Sequence, residues 1–316
     1  MNIKAREEFI IGVNLYYDGK YKESAEWFER ANVSDYPGFA IMLAYLYTSE
    51  YILPMDNKKG GFWFSKINVK RTTKLAIYGD SYCQNLLGML YEGGWKVECD
   101  KDKALFWFKK AANQINLHAF FNIGTMCFDH NLKEALYWYH KAADKGFVAS
   151  QYWLSRVFSK LNDNYLSFYW AYKAAEKRDH DSENIIAKYY LDGVSDNSHI
   201  LCKAINGALN VIDKDENLSL FWFQKSAEQE NYLAQYNLGL HYLEKSDYEK
   251  AFYWFEKSAK HGDPDSEYQI ALLCLDGTGT KQDENQAIYW LEKSSKQGHE
   301  EAKELLYSFS KDGFHR

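Results

Sequence analysis

Nine histidines, five cysteines and 44 acidic side chains could do chemistry if they were spaced for it. The histidines are His118, His130, His140, His180, His199, His241, His261, His299 and His315. None stands with Cys, Asp or Glu partners at the short spacing of a zinc site, so they read as surface or packing residues. The Asp and Glu side chains sit between lysines on exposed helical faces, and paired carboxylates without a pocket give solubility rather than acid–base catalysis. Gly277-Thr278-Gly279 could pass for a phosphate loop, but no strand precedes it. No GxSxG, P-loop or dinucleotide fingerprint occurs. Cys83, Cys127 and Cys274 fall in helical text and Cys99 and Cys202 in connections, with no disulfide ladder, which fits a reducing compartment. The expectation is a chain that is not an enzyme, with no cofactor and no metal. The chemistry left to it is recognition.

The elements that would position a recognition surface are written in a repeated phrase. Residues 133 to 146 read KEALYWYHKAADKG, 249 to 262 read EKAFYWFEKSAKHG, 285 to 298 read NQAIYWLEKSSKQG and 102 to 112 read DKALFWFKKAA. Eight of the ten tryptophans keep one place in it: Trp27, Trp63, Trp107, Trp138, Trp170, Trp222, Trp254 and Trp290. A small residue follows 17 positions after most of them, at Ala44, Gly124, Ser155, Ala187, Gly239 and Ala271. Trp290 keeps the interval to Tyr307 without the small residue, and Trp63 to Gly88 breaks it at 25.

Segments such as AQYNLGLHY (234 to 242) and SQYWLSRVF (150 to 158) repeat apolar residues at the helical period. KAFYWFEKSA does the same, with Ala251, Trp254, Phe255, Ser258 and Ala259 on one stripe. Each phrase therefore predicts a pair of antiparallel helices, with the small residue where the facing helix comes close. One pair cannot bury its own stripe, but stacked pairs can, and the tryptophans read as the mortar between them. Gly146, Gly262 and Gly298 follow the second helix, where a left-handed cap is needed. In the longer form of the unit, LDGTGTKQDENQAIYW at 275 to 290, Gly277 and Gly279 permit positive φ and Asp283 can cap the second helix. The chain so read is a single array over 1–316, with eight helix pairs and a capping helix at 300–310. Two stretches interrupt it. One is the insertion at about 194–214, whose HILCKAINGALNVI (199 to 212) has helical spacing; the other is eight extra residues within 68 to 80.

The run from Ile270 to Gly298 resembles the Sel-one-like repeat, a relative of the tetratricopeptide repeat. The unit at 87 to 112 fits the same pattern through Leu87, Gly88, Tyr91, Gly94, Val97, Asp100, Lys103, Ala104, Trp107, Lys110, Ala111 and Ala112, and departs from it at Lys96, where a glycine is expected. The tighter units look more like tetratricopeptide repeats. The resemblance implies an all-α fold, a right-handed α-solenoid of antiparallel helix pairs, and a protein-binding role. Penicillin-directed activity, linked to cysteine-rich members, does not carry over to a chain without their regular cysteines.

By the same resemblance, the positions three before and one after each small residue face a groove. The first column reads Phe9, Ile41, Asn85, Phe121, Tyr152, Asn184, Tyr236 and Tyr268; the second reads Val13, Tyr45, Met89, Thr125, Arg156, Lys188, Leu240 and Leu272. Asn85, Phe121, Tyr152, Arg156, Asn184, Lys188 and Tyr236 are the expected partner contacts, a mixture of rigid aromatics, amides and cations suited to a hot spot. The inserted stretch is the rival location. A net charge of −6 spread along the chain gives no footprint for a nucleic-acid backbone, and the cluster Lys66, Lys70, Arg71 and Lys74 reads as a solvated connection. The charged opening MNIKAREEFIIGVNLYY does not read as a signal peptide, and no run reaches the ~18 apolar residues of a spanning helix, so neither nucleic acid nor membrane is an expected partner. The expected role is a cytoplasmic bacterial adaptor or regulator that holds a protein or peptide. The alternatives are an immunity protein holding a toxin and an effector acting on host proteins.

Overall fold

The computed structural model describes residues 3–31, 36–48, 56–195 and 211–311, and it is helical almost throughout. Its helices fall in two compact units, Met1–Lys177 and Arg178–Arg316. In unit 1 the pairs are α1 (Ile3–Tyr17) with α2 (Tyr21–Ala31), and α3 (Gly38–Thr48) with α4 (Asn57–Lys66). The helix α5 (Val69–Ile77) follows, then α6 (Ser81–Gly93) with α7 (Lys101–Ala112), α8 (Leu117–Cys127) with α9 (Leu132–Ala143), and α10 (Val148–Lys160) with α11 (Asn164–Ala175). Unit 2 holds α12 (His180–Asp192) with α13 (Glu216–Glu228), α14 (Tyr232–Glu244) with α15 (Tyr248–Lys260), and α16 (Pro264–Asp276) with α17 (Glu284–Lys296), closed by α18 (Glu300–Lys311). Among the described residues the helices form eight pairs, with α5 between two of them and α18 at the end.

The helices start where short polar side chains can satisfy their free N–H groups. From α4 to α17 every helix except α10 opens on an Asp or Asn that accepts a hydrogen bond from the N–H three residues on, Asp283 with Gln286 among them. Each such cap is worth about 1 kcal/mol. The turn that ends a second helix needs a left-handed residue. Gly146, Gly262 and Gly298 supply it with φ of 81°, 84° and 98°, as the sequence predicts.

Within a pair, the small residue of the first helix meets a ring on the second. A Cβ on Gly12, Gly88, Gly124 or Gly239 would collide with Phe28, Phe108, Tyr139 or Phe255, respectively. These rings stand one position after the tryptophans, and they are the buried ones. The tryptophans at that place are only half-buried, save Trp63 at 8 % exposure. The tryptophans still pack against the preceding pair, Trp138 on the α7–α8 cluster and Trp254 on the α12–α14 cluster, but the fully buried place belongs to the ring after each. The buried stripe of α15 is Ala251, Phe255, Ser258 and Ala259, and Trp254 lies at its edge with Lys257 stacked at 4.9 Å. Lys110, Lys141, Lys225 and Lys293 cover Trp107, Trp138, Trp222 and Trp290 in the same way.

The two interruptions resolve differently. The extra residues at 68 to 80 break a second helix in two: α4 packs on α3, while α5 packs on α6 and buries Thr72 and Ala76. In the other, β1 (Val194–Ser195) pairs antiparallel with β2 (Val211–Ile212), Val194 opposite Ile212. The helix read at 199 to 212 thus fails at its end, where Val211 and Ile212 are strand; residues 196–210 lie outside the described residues.

Candidate protein-binding site

The first helices of unit 1 enclose a cavity of about 300 Å³. Tyr16 and Tyr17 reach it from α1, Ile41 and Tyr45 from α3, Met89, Glu92 and Gly93 from α6, and Phe121, Asn122 and Thr125 from α8. Trp95 closes it from the turn after α6. That turn is shaped by its glycines. Gly94 takes the left-handed cap with φ 68°, and its N–H and that of Trp95 both donate to the Leu90 carbonyl. Gly93 has no Cβ to push away the indole, which would stand 3.0 Å from one. Lys96, the departure from the repeat pattern, is itself left-handed at φ 55°. Its ammonium donates to the carbonyls of Ser65 (2.9 Å) and Ile67 (3.3 Å), where α4 ends. The substitution ties the Trp95 turn to the neighbouring pair.

The rings form a continuous seam. Trp95 lies 5.7 Å from Tyr45, Tyr45 5.9 Å from Tyr16, Tyr16 4.8 Å from Tyr17 and Tyr17 5.5 Å from Phe121. Phe121 continues it to Trp153 at 6.5 Å, where Arg156 stacks at 5.4 Å. Burial raises the Tyr16 and Tyr17 phenols above their ordinary range, so both are neutral. Burial also raises the Glu92 carboxyl, with Lys101 opposing it. Such a surface is suited to apolar contact, stacking and charge.

The expected contact residues fall into two kinds. In unit 1, Phe121 lines the cavity, and Tyr152 accepts a hydrogen bond from the exposed Arg156 at 2.9 Å. In unit 2, Lys188 is exposed on α12, while Tyr236 is half-buried 5.9 Å from Phe255. Burial, with Asp265 and Asp263 nearby, raises the Tyr236 phenol. The amides are corrected: Asn85 and Asn184 are buried, at 4 % and 6 % exposure. Each accepts from an amide on the next first helix, Asn85 from Asn122 at 2.9 Å and Asn184 from Asn237 at 3.2 Å. They hold neighbouring pairs in register behind the surface rather than presenting themselves on it.

Sequence reasoning missed Tyr16, Glu92 and Trp95. A signal for Trp95 existed: of ten tryptophans, only Trp95 and Trp153 stand outside the repeated place, and both join the seam. A wider depression of about 690 Å³ lies between 245–249 and Gly277, Gly279 and Thr280. It belongs to the repeat's own loop, for a Cβ at Gly279 would collide with the Tyr248 carbonyl. Among the described residues, no three His, Cys, Asp or Glu side chains are grouped to hold a metal ion, and no helix is long and apolar enough to cross a membrane.

The comparisons with known proteins point one way. The Sel1 repeat matches at residues 81–116, 121–147, 149–179, 205–231, 233–263 and 264–299, more than half of the chain. A sel1-like repeat-containing protein of Acanthamoeba polyphaga mimivirus is 27 % identical over 133 residues, 40 % of this chain; the chain spans only about a quarter (24 %) of that relative. A Sel1 repeat protein from Oxalobacter formigenes superposes with a TM-score of 0.63 at 25 % identity, over 96 % of this chain and 86 % of the other. An immunity protein from Pseudomonas aeruginosa matches with a TM-score of 0.45 at 15 % identity, over 72 % and 80 %. With the helix pairs, their capped turns and the six matched stretches together, the chain belongs to the Sel1 repeat family.

Proposed function

We propose that this chain is a non-catalytic scaffold that binds a segment of a partner protein on the first-helix face of unit 1. The observation that carries this reading is the cavity itself: four first helices converge on it, and five of its eleven lining residues are aromatic. Rigid aromatics flanked by an arginine are the residue types that dominate hot spots at protein interfaces. Here the arginine is Arg156, exposed on Tyr152 and Trp153 at the far end of the seam. The partner is a protein or peptide met by a bacterial adaptor or regulator. An immunity protein would use the same face with a toxin as its occupant, and co-expression with a toxin encoded beside it separates the two roles.

The test uses the partner captured from the native cell, then purified and titrated against variants. The double variant Tyr152→Ala, Arg156→Glu removes one ring and reverses one charge on adjacent turns of α10. It should weaken binding at least ~100-fold, on the ~2 kcal/mol or more per hot-spot residue. Deleting residues 197 to 212 tests the insertion. Loss of binding on that deletion, with normal binding by the double variant, would move the partner to the insertion and end this reading.

A further inference from the structure

One carboxylate sits among the rings of the unit 1 cavity. Glu92 lines it on the last turn of α6, half-buried beside Tyr17, with Trp95 three residues on. Burial penalises its charge, and Lys101 is the one cation that acts on it among the described residues. Elsewhere the chain covers its open rings with its own lysines, as Lys141 covers Tyr137 at 4.5 Å and Lys225 covers Trp222 at 4.5 Å. The cavity rings lack such cover among the described residues. Lys96, next in sequence to Trp95, lies over Phe64 at 5.6 Å instead. Tyr16 and Trp95 each lie within 6 Å of Tyr45, and with the half-buried carboxylate they make a socket whose rings lack a cation.

We propose that this socket receives a basic side chain, lysine or arginine, from the partner segment, stacked against Tyr16, Tyr45 and Trp95 with its charge toward Glu92. The assignment rests on the reading of this face as the binding surface and names what that surface selects. A cation over aromatic faces gains most where water is excluded, and the same exclusion strengthens its attraction to the carboxylate. A carboxylic acid on the partner would meet Glu92 with like charge, and a purely apolar side chain would bury it further with Lys101 alone to oppose the cost. The net charge of −6 works in the same direction, drawing in a basic segment.

The experiment selects a random twelve-residue peptide library on the intact protein, then titrates the recovered peptides while following tryptophan fluorescence. The expected peptides carry a lysine or arginine whose replacement by norleucine or citrulline weakens binding at least ~10-fold. Glu92→Gln should weaken the parent peptides by a similar factor and leave the neutral analogues unchanged. The peptide-side replacement needs no protein variant, so it decides the matter even if Glu92→Gln folds poorly. Peptides that lose affinity in Trp95→Leu or Tyr45→Leu, yet bind equally with citrulline or norleucine, would overturn the basic side chain and leave the binding face standing. Peptides indifferent to Trp95 and Tyr45 would overturn both. A selection that yields no peptide dependent on Glu92 would overturn the proposal alone.

Discussion

His118 is buried in unit 1 with both ring nitrogens unpaired, packed between Tyr17 at 4.4 Å, Phe147 at 5.3 Å and Tyr82 at 5.6 Å. Burial alone pushes its pKa down to about 3, from an ordinary 6.5. The unfolded chain therefore binds a proton in that window that the folded chain refuses, so the neutral ring's contribution is complete above about 6.5 and is lost as pH falls toward 3. His118→Phe should flatten the acid limb of stability over this range, read from denaturant melts at stepped pH; an unchanged limb would mean the ring is solvated. The rings of the repeat give a second test. Phe255→Ala should cost about 3–5 kcal/mol, as large core deletions do, and Trp254→Ala clearly less, by chemical denaturation. The reverse order would make the tryptophans the core rings. Their place was legible from spacing, but burial was not. One residue's step turns a side chain about 100° around a helix, and a half-buried indole covered by lysine leaves the same periodic trace as a core ring.

At the scale of elements, the helix pairs and caps could be read directly because small residues, Asp or Asn caps and left-handed glycines each answer a local need. What could not be read was how polar residues tie one helix to the next. Glu183 on α12 is fully buried, paired with Lys225 of α13 at 3.0 Å and accepting from Gln229 at 2.6 Å. Glu267 repeats the arrangement with Lys293 at 2.6 Å and Gln297 at 2.8 Å. Their partners are 26 to 46 residues away, beyond any local pattern. Lys225→Met should destabilise unit 2 by roughly 2–3 kcal/mol, somewhat less than a fully enclosed pair because the lysine keeps some solvent. Glu183→Gln with Lys225→Met should recover most of it, as a double-mutant cycle would show; a neutral single variant would mean the carboxylate is satisfied without its lysine. The same blindness applied to Asn85 and Asn184. An amide at a groove-facing position looks like a contact until the next first helix is seen to take it.

For the molecule as a whole, the candidate site condenses from elements far apart in the chain, and this explains how much of it was legible. Phe121, Tyr45 and Met89 were marked by the repeat because the repeat sets their helical position. Glu92 stands at the end of α6 beyond the marked columns, and Trp95 lies in the turn after it, whose course depends on Gly93, Gly94 and Lys96 together. The acidic balance of the chain, −6, adds a long-range component to any encounter with a basic segment. Raising ionic strength from low to about 0.5 M should slow partner association at least several-fold while changing dissociation little. Stopped-flow mixing measures both, and a salt-independent association rate would argue for an uncharged occupant. The central claim is that the partner sits on the first-helix face of unit 1, and photo-crosslinking in the native cell tests it most directly. Benzoylphenylalanine placed at Thr125, exposed on α8 at the cavity, should crosslink to the partner, while the same group at Phe106, exposed on α7, should not. A partner adduct from position 106 with none from 125 would contradict the account.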